Sequence, residues 1–99
     1  MDYVRWTWDD NKNRSNVRKH GLGFETAALV FADPLMVQRP DPHSEEERWL
    51  TMGLVGNVVI VVSHTSPDWE TGAEAGAGRI ISARKATAHE RRAYEEEEC

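Results

Sequence analysis

The side chains of this 99-residue chain that could carry chemistry are basic residues, a histidine and a tyrosine in four separate segments. Lys19 and His20 precede a glycine, and Arg48 stands in an alternating apolar run. The remaining candidates are Arg79, Arg84 and Tyr94. RNA carries its own nucleophile, the 2′-hydroxyl beside each phosphate. Its cleavage requires a proton acceptor, a proton donor and cations around the charged transition state, and these residue types supply all three without a metal ion.

The basic candidates also have structural interpretations. Lys19 and His20 fit the last turn of a helix, where cations interact favourably with the macrodipole. Arg48 fits the rim of a sheet. Arg79 and Arg84 have opposite parity on one predicted strand, so they reach the same face only if a β-bulge intervenes. Either arginine could instead pair with an acidic loop.

Tyr94 and His64 have two interpretations each, and Trp69 has one. Tyr94 suits packing onto a sheet as well as proton transfer. His64 follows a strongly apolar segment and fits the core or its rim. Trp69 lies in a predicted loop and is expected to be an exposed aromatic residue.

Other catalytic chemistries have little support in the sequence. No pair of histidines has helical metal-ligand spacing, and Cys99 stands alone, so no metal or cofactor is expected. The glycines of residues 66–78 do not follow an apolar strand as those of a phosphate-binding loop do. Ser63 and Ser82 lack the surroundings of a nucleophile elbow. The histidines concerned are His20, His43, His64 and His89.

Length and composition indicate one globular domain over residues 1–99, with 39% hydrophobic and 29% charged residues. The formal net charge of −5 opposes nucleic-acid binding, but residues 12–19 contain basic residues and no acidic ones. Residues 79–92 form a second basic segment, interrupted only by Glu90. With one cysteine, no apolar run of membrane-spanning length and no secretory leader, we expect a cytoplasmic protein.

Periodicity in the N-terminal half predicts a strand followed by two helices. Residues 3–8 form the strand, and residues 11–19 form a helix that begins after Asp9 or Asp10 and ends at Gly21. An apolar stripe at helical spacing predicts the second helix, which stops at Asp33-Pro34. The stripe consists of Phe24, Ala27, Ala28 and Phe31.

The C-terminal half predicts four strands and a helix. The strands cover residues 35–39, 46–54, 57–64 and 79–84, with a proline-containing loop from Pro40 and a long loop over residues 66–78. The third of these is apolar on both faces and therefore central. Thr87 and Glu90 form a capping box that begins a helix through Tyr94, followed by a frayed acidic tail at residues 95–99. The predicted fold is α+β, with an antiparallel sheet of about four to five strands, two N-terminal helices and a C-terminal helix.

An ordered series of short motifs resembles the BrnT toxins of bacterial type II toxin–antitoxin pairs. The segment RIISARKAT at residues 79–87 is the most specific of them. The other matching pieces are Trp8-Asp9, Arg18-Lys19-His20-Gly21, Phe24-Glu25 through Ala28 and Phe31 to Asp33-Pro34, Asp41-Pro42 leading to Arg48, Gly53-Leu54, Glu90-Arg91-Arg92 and Tyr94-Glu95.

The resemblance implies a RelE-like fold and a metal-independent endoribonuclease that inhibits growth by blocking translation. It also implies a BrnA-like ribbon-helix-helix antitoxin as partner, and binding of operator DNA only through the toxin–antitoxin complex. The matching basic and proton-transfer positions are Lys19, His20, Arg48, Arg79, Arg84 and Tyr94.

The chain departs from the family pattern in one loop. The loop over residues 66–78 is longer than the polar turn usual in the family and carries Trp69, which affects the expected position of Arg79.

The alternative function is a non-catalytic interaction module or co-repressor subunit, favoured by the net negative charge and by the lack of an unambiguous acid–base pair.

Overall fold

A computed structural model describes residues 5–42, 47–65 and 77–97 as an α+β fold with a five-stranded mixed sheet. Two N-terminal helices and a 3₁₀ helix precede most of the sheet, and one helix follows it. The elements are β1 Arg5–Thr7, α1 Asp10–His20, α2 Phe24–Ala27, the 3₁₀ helix Ala28–Ala32, β2 Val37–Pro40, β3 Arg48–Val55, β4 Val58–Thr65, β5 Ala77–Lys85 and α3 Ala88–Glu97.

The strand order is β1-β5-β4-β3-β2. Strands β2 to β5 form the predicted antiparallel meander, and β4 is central as its two apolar faces indicated. The prediction of a wholly antiparallel sheet is wrong for β1, which pairs in parallel with β5. Because β1 and β5 come from opposite ends of the chain, no short turn fixes their relative direction.

Helix α1 begins and ends at the signals read from the sequence. The Asp9 carboxylate accepts hydrogen bonds from the backbone N–H groups of Asn11 and Lys12. Gly21 has φ 67° and donates its N–H to Val17 O, which closes the helix in the left-handed conformation that glycine adopts most readily.

The second predicted helix is split into α2 and the 3₁₀ helix, which ends at Asp33 as expected. The 3₁₀ helix packs closely on β3 at Gly53, where an added Cβ would lie 2.8 Å from the Cβ and the backbone oxygen of Val30. Only glycine allows this approach. The apolar stripe predicted one regular α-helix. The chain instead forms the tighter 3₁₀ helix where it packs on β3.

The two faces of the sheet bury different apolar layers, and we call them the α2 face and the α3 face. The alternation predicted for β4 is confirmed, because Ile60 and Val62 join one layer and Val59 and Val61 join the other. In β3, Leu50 and Met52 lie on the same face, as predicted. The layer on the α2 face includes Phe24, Ala27, Val30, Ile60, Val62 and Ile80. The layer on the α3 face consists of Met52, Val59, Val61 and Tyr94, with Val37, Leu50 and Ala86 packed beside it.

The remaining boundaries differ from the predictions by a few residues. Strand β2 includes Pro40, which an edge strand tolerates. Helix α3 continues to Glu97, into the tail that was expected to be frayed. His43 and Trp69 lie outside the described residues, as do residues 66–76 of the long loop. Within the described ranges, no helix is long and apolar enough to cross a membrane.

Candidate active site

Strand register brings three arginines to the α3 face of the sheet. Arg84 lies opposite Val61, which belongs to the layer beneath α3. Arg48 is opposite Thr65 at the end of β3, and the Thr65 hydroxyl accepts a hydrogen bond from the backbone N–H of Arg79 at 3.0 Å. Neighbouring strands are about 4.8 Å apart, so the three positions span about two strand spacings across the sheet. Along the strands, Arg84 is four residues in register from Arg48, which is about 13 Å.

A β-bulge puts Arg79 and Arg84 on the same side despite their opposite parity. The pairing of β4 with β5 shifts by one residue between Ser63 and His64. The residue next to Arg79 is Ile80, which is buried in the layer on the α2 face, so Arg79 is turned toward the α3 face with Arg84. The strand is not regular here, and the bulge is the condition under which the sequence predicted that both arginines reach the same face.

Lys19 and His20 lie at the neighbouring edge of β5. Both are exposed, and they line a basic cleft of about 190 Å³ that also includes Lys12, Ile81 and Ser82. Ser82 lies opposite Ser63, two residues from Arg84 on the same face. The cleft thus connects the end of α1 to the strand that carries Arg79 and Arg84.

The side-chain amide of Asn16 fixes α1 against this edge. Asn16 donates hydrogen bonds to Ala83 O at 2.8 Å and Leu22 O at 2.9 Å, and it accepts one from the N–H of Ala83 at 3.1 Å. The amide therefore pairs with Ala83 as another strand would, and it occupies an otherwise open section of the sheet edge.

Arg84 is held by a carboxylate from α3. Its guanidinium donates to both oxygens of Glu90, at 2.6 and 2.9 Å, and 40% of its side chain remains exposed. The hydrogen bond from Arg84, with further bonds from Thr87, lowers the pKa of Glu90 to about 2 against the effect of burial. The same hydrogen bond raises the pKa of Arg84. Arg84 on β5 therefore pairs with the adjacent helix α3.

The hydroxyl of Tyr94 is bonded near the opposite end of β3 from Arg48. It donates to Asp33 Oδ2 at 2.5 Å, and the side chain is only 2% exposed. Asp33 also accepts the backbone N–H of Leu54, six residues along β3 from Arg48, which is about 20 Å in an extended strand. Burial works to raise the pKa of Asp33, but the bonds from Tyr94, Leu54 and Leu35 outweigh it and leave the pKa lowered.

His64 is a core residue on the opposite face. It is 1% exposed and lies edge-on to the rings of Trp6 and Phe31. Its Nδ1 donates to Thr65 O at 2.8 Å, so Nε2 of the neutral ring accepts the Thr51 hydroxyl at 2.6 Å. Burial lowers the pKa of His64, although the bond to Thr65 O acts in the opposite direction.

Some residues that shape the site were not identified from the sequence. The capping box pointed to Glu90 as a helix cap, but nothing indicated that it also binds Arg84. Asn16 and Asp33 carry no local signal, because their partners are distant in sequence. Nothing in the sequence indicates that Ser82 lines a cleft with Lys19 and His20. Across residues 5–42, 47–65 and 77–97, no three His, Cys, Asp or Glu side chains are close enough together to hold a metal ion.

The fold and the site define a small α+β domain that gathers cations on one face and the adjoining edge of its sheet. The family model described as "Ribonuclease toxin, BrnT, of type II toxin-antitoxin system" matches residues 8–90, and the chain belongs to that family. The resemblance seen in the sequence is thereby confirmed over most of the chain. A separate comparison with curated proteins found no match.

Proposed function

We propose that this BrnT-family toxin is a metal-independent endoribonuclease that inhibits translation by cutting RNA within the cations of the α3 face and the basic cleft. The observation that carries the proposal is the convergence of Arg48, Arg79 and Arg84 on one face, next to Lys19 and His20 at the edge. These residues come from α1, β3 and β5, so only the folded chain assembles them.

The reaction uses the nucleophile of the substrate. The 2′-hydroxyl loses its proton and attacks the adjacent phosphorus, the bond from phosphorus to the 5′ oxygen breaks, and that oxygen takes up a proton. The products are a 2′,3′-cyclic phosphate and a 5′-hydroxyl. Lys19 and the three arginines neutralise the charge on the phosphate oxygens, and His20 transfers one of the two protons.

Of the two proton-transfer candidates, His20 suits the role and Tyr94 suits a structural one. His20 is exposed in the basic cleft. Tyr94 is buried and already donates its hydroxyl proton to Asp33. We therefore assign Tyr94 to anchoring α3, and water to the second proton transfer.

We further propose that a BrnA-like ribbon-helix-helix antitoxin neutralises the toxin, and that the complex binds operator DNA and represses its own operon. Membership of a type II family supports a protein partner. The surface offers apolar side chains for one, since Leu35 is 50% and Leu54 is 42% exposed. These two lie close together, because both donate their backbone N–H to Asp33.

The test is RNA cleavage by the purified toxin without its antitoxin, in EDTA, with and without ribosomes. We expect cut RNA ending in a cyclic phosphate. RNA that stays intact under both conditions would contradict the proposal.

Charge-matched variants then separate catalysis from mere binding. Arg84→Ala should abolish growth arrest on induction, whereas Arg92→Ala, an exposed arginine on α3, should not. If induced toxin never arrests growth and Arg84→Ala makes no difference, the chain is the non-catalytic module. Calorimetry with the product of the neighbouring gene tests the partner, and the absence of any heat of binding would contradict it.

A further inference from the structure

We propose that the hollow between α3 and strands β2, β3 and β4 binds one nucleobase of the RNA, next to the phosphate held by Arg84. This inference rests on the proposed ribonuclease function and adds a specificity site to it. The hollow has a volume of about 200 Å³ and lies on the α3 face.

The walls of the hollow are apolar and its mouth is polar. Val37, Leu50, Met52, Val61 and Ala93 form the walls. Arg39, His89 and Glu90 also line it and supply donors and acceptors. Apolar surfaces with a few polar groups at one side are typical of small-molecule sites, and drug-sized ligands need about 300–1,000 Å³. A hollow smaller than that range suits a single planar ring.

The hollow is continuous with the arginine-bearing face. Glu90 lines it and accepts hydrogen bonds from Nη1 and Nη2 of Arg84. Val61 also lines it and lies directly opposite Arg84 in the sheet, about one strand spacing away. A phosphate at Arg84 therefore places the adjoining nucleotide at the mouth of the hollow.

The chemistry of the lining favours a base over an acidic or aliphatic peptide segment. Single-stranded RNA is read by splaying bases out onto flat side chains, including arginine guanidinium planes, and bonding their polar edges. Arg39 is exposed at the mouth and provides such a plane, and Glu90 and His89 provide a carboxylate and ring nitrogens for the edge of the base.

The test compares short RNAs that lack one base, using Ala93→Leu to fill the hollow. Ala88→Leu is the matched control, because Ala88 is exposed on the same helix and does not line the hollow. For the wild type, we expect an abasic nucleotide at one position beside the cut to raise KM about 10-fold, within the range for stacking of one base. Ala93→Leu should raise KM on intact RNA by a similar factor, keep kcat, and lose the abasic effect. Ala88→Leu should behave as the wild type.

The other outcomes separate the two proposals. Uncut RNA with the wild type refutes the ribonuclease function and this inference with it. Cleavage that is indifferent to every abasic position refutes the base site alone. The same holds if Ala93→Leu cuts normally but loses affinity for the antitoxin, which would make the hollow a partner site. If Ala93→Leu unfolds, Arg39→Ala at the exposed mouth provides the test, and an unchanged abasic pattern would overturn the inference.

Discussion

Glu90 holds Arg84 with both carboxylate oxygens and at the same time caps α3. Its Oε1 accepts the N–H of Thr87 at 2.9 Å, and its own N–H donates to the Thr87 hydroxyl at 3.1 Å. One carboxylate therefore fixes the start of the helix and the orientation of an arginine on β5.

Glu90→Gln should destabilise the fold in a pH-dependent manner. The pKa of Glu90 is about 2 in the folded chain, below its ordinary value of 4.5. The stabilisation from ionised Glu90 is therefore complete above pH 4.5 and lost as the pH falls toward 2. Because Arg84 is 40% exposed and solvent screens the pair, we expect a loss of only about 1–2 kcal/mol at pH 7.

Urea unfolding from pH 7 to pH 2.5 measures this difference. The gap between wild type and Glu90→Gln should narrow below pH 4.5. Glu96→Gln, an exposed residue of the same helix, serves as the control and should stay within about 0.5 kcal/mol of the wild type. A gap that is constant over the whole pH range would mean that the ionisation of Glu90 does not stabilise the fold.

Where local signals determine structure, the sequence predicted it well. Asp9 and Gly21 define the ends of α1, Thr87 and Glu90 define the start of α3, and the alternation of β3 assigns its faces. Each of these signals acts between residues that are close along the chain. The direction of β1 was not predictable in this way, since its partner lies in the last strand.

The candidate site was predicted less completely because it depends on long-range register. The residue types were identified, but the bulge beside Ser63 decides that Arg79 joins Arg84. For Tyr94, the role of the side chain depends on a hydrogen-bond partner that is distant in sequence. The sequence left both packing on the sheet and proton transfer open for this residue, and its hydroxyl is held by Asp33, a partner that helical spacing cannot reveal.

Tyr94→Phe distinguishes a structural role from a catalytic one. Removing the hydroxyl breaks the bond that joins α3 to Asp33 and, through it, to β3. We expect a loss of about 1–2 kcal/mol in the free energy of unfolding, because the acceptor is charged. Cleavage, measured well below the melting temperature, should keep its kcat. A kcat reduced by 100-fold or more in a folded variant would instead place Tyr94 in the reaction.

Protonation of buried His64 should weaken the fold in mild acid. Its folded pKa is lowered from 6.5, so the unfolded chain takes up the proton first. The stability present above pH 6.5 is therefore lost as the pH falls toward the folded pKa, at up to about 1.4 kcal/mol per pH unit. Protonated His64 could no longer accept the Thr51 hydroxyl.

Unfolding of His64→Gln between pH 8 and 5 checks this expectation. The variant should be about 1–3 kcal/mol less stable at pH 8, because it disturbs a buried network, and its stability should depend less on pH. His89→Gln, an exposed histidine, should retain the slope of the wild type. If His64→Gln keeps the full slope, the acid sensitivity comes from other groups.

Asn16→Ala should be strongly destabilising, although alanine is the better helix former. The change leaves three backbone groups without their partner, namely Ala83 N–H, Ala83 O and Leu22 O. At about 1 kcal/mol or more for each group, we expect a loss of about 2–4 kcal/mol, measured by urea unfolding. Asn11→Ala, in the exposed first turn of the same helix, should cost less than about 0.5 kcal/mol.

Asn16→Asp tests whether the amide's donors matter more than its shape. Aspartate keeps the acceptor for the N–H of Ala83 but turns an oxygen toward the carbonyls of Leu22 and Ala83, which the amide nitrogen now satisfies. We expect it to be at least as destabilising as Asn16→Ala at pH 7 and less so as the carboxyl is protonated. Because α1 carries Lys19, loosening its attachment should also lower cleavage in both variants at temperatures where they remain folded. Variants with the stability of the wild type would show that α1 is held at the sheet edge by other contacts.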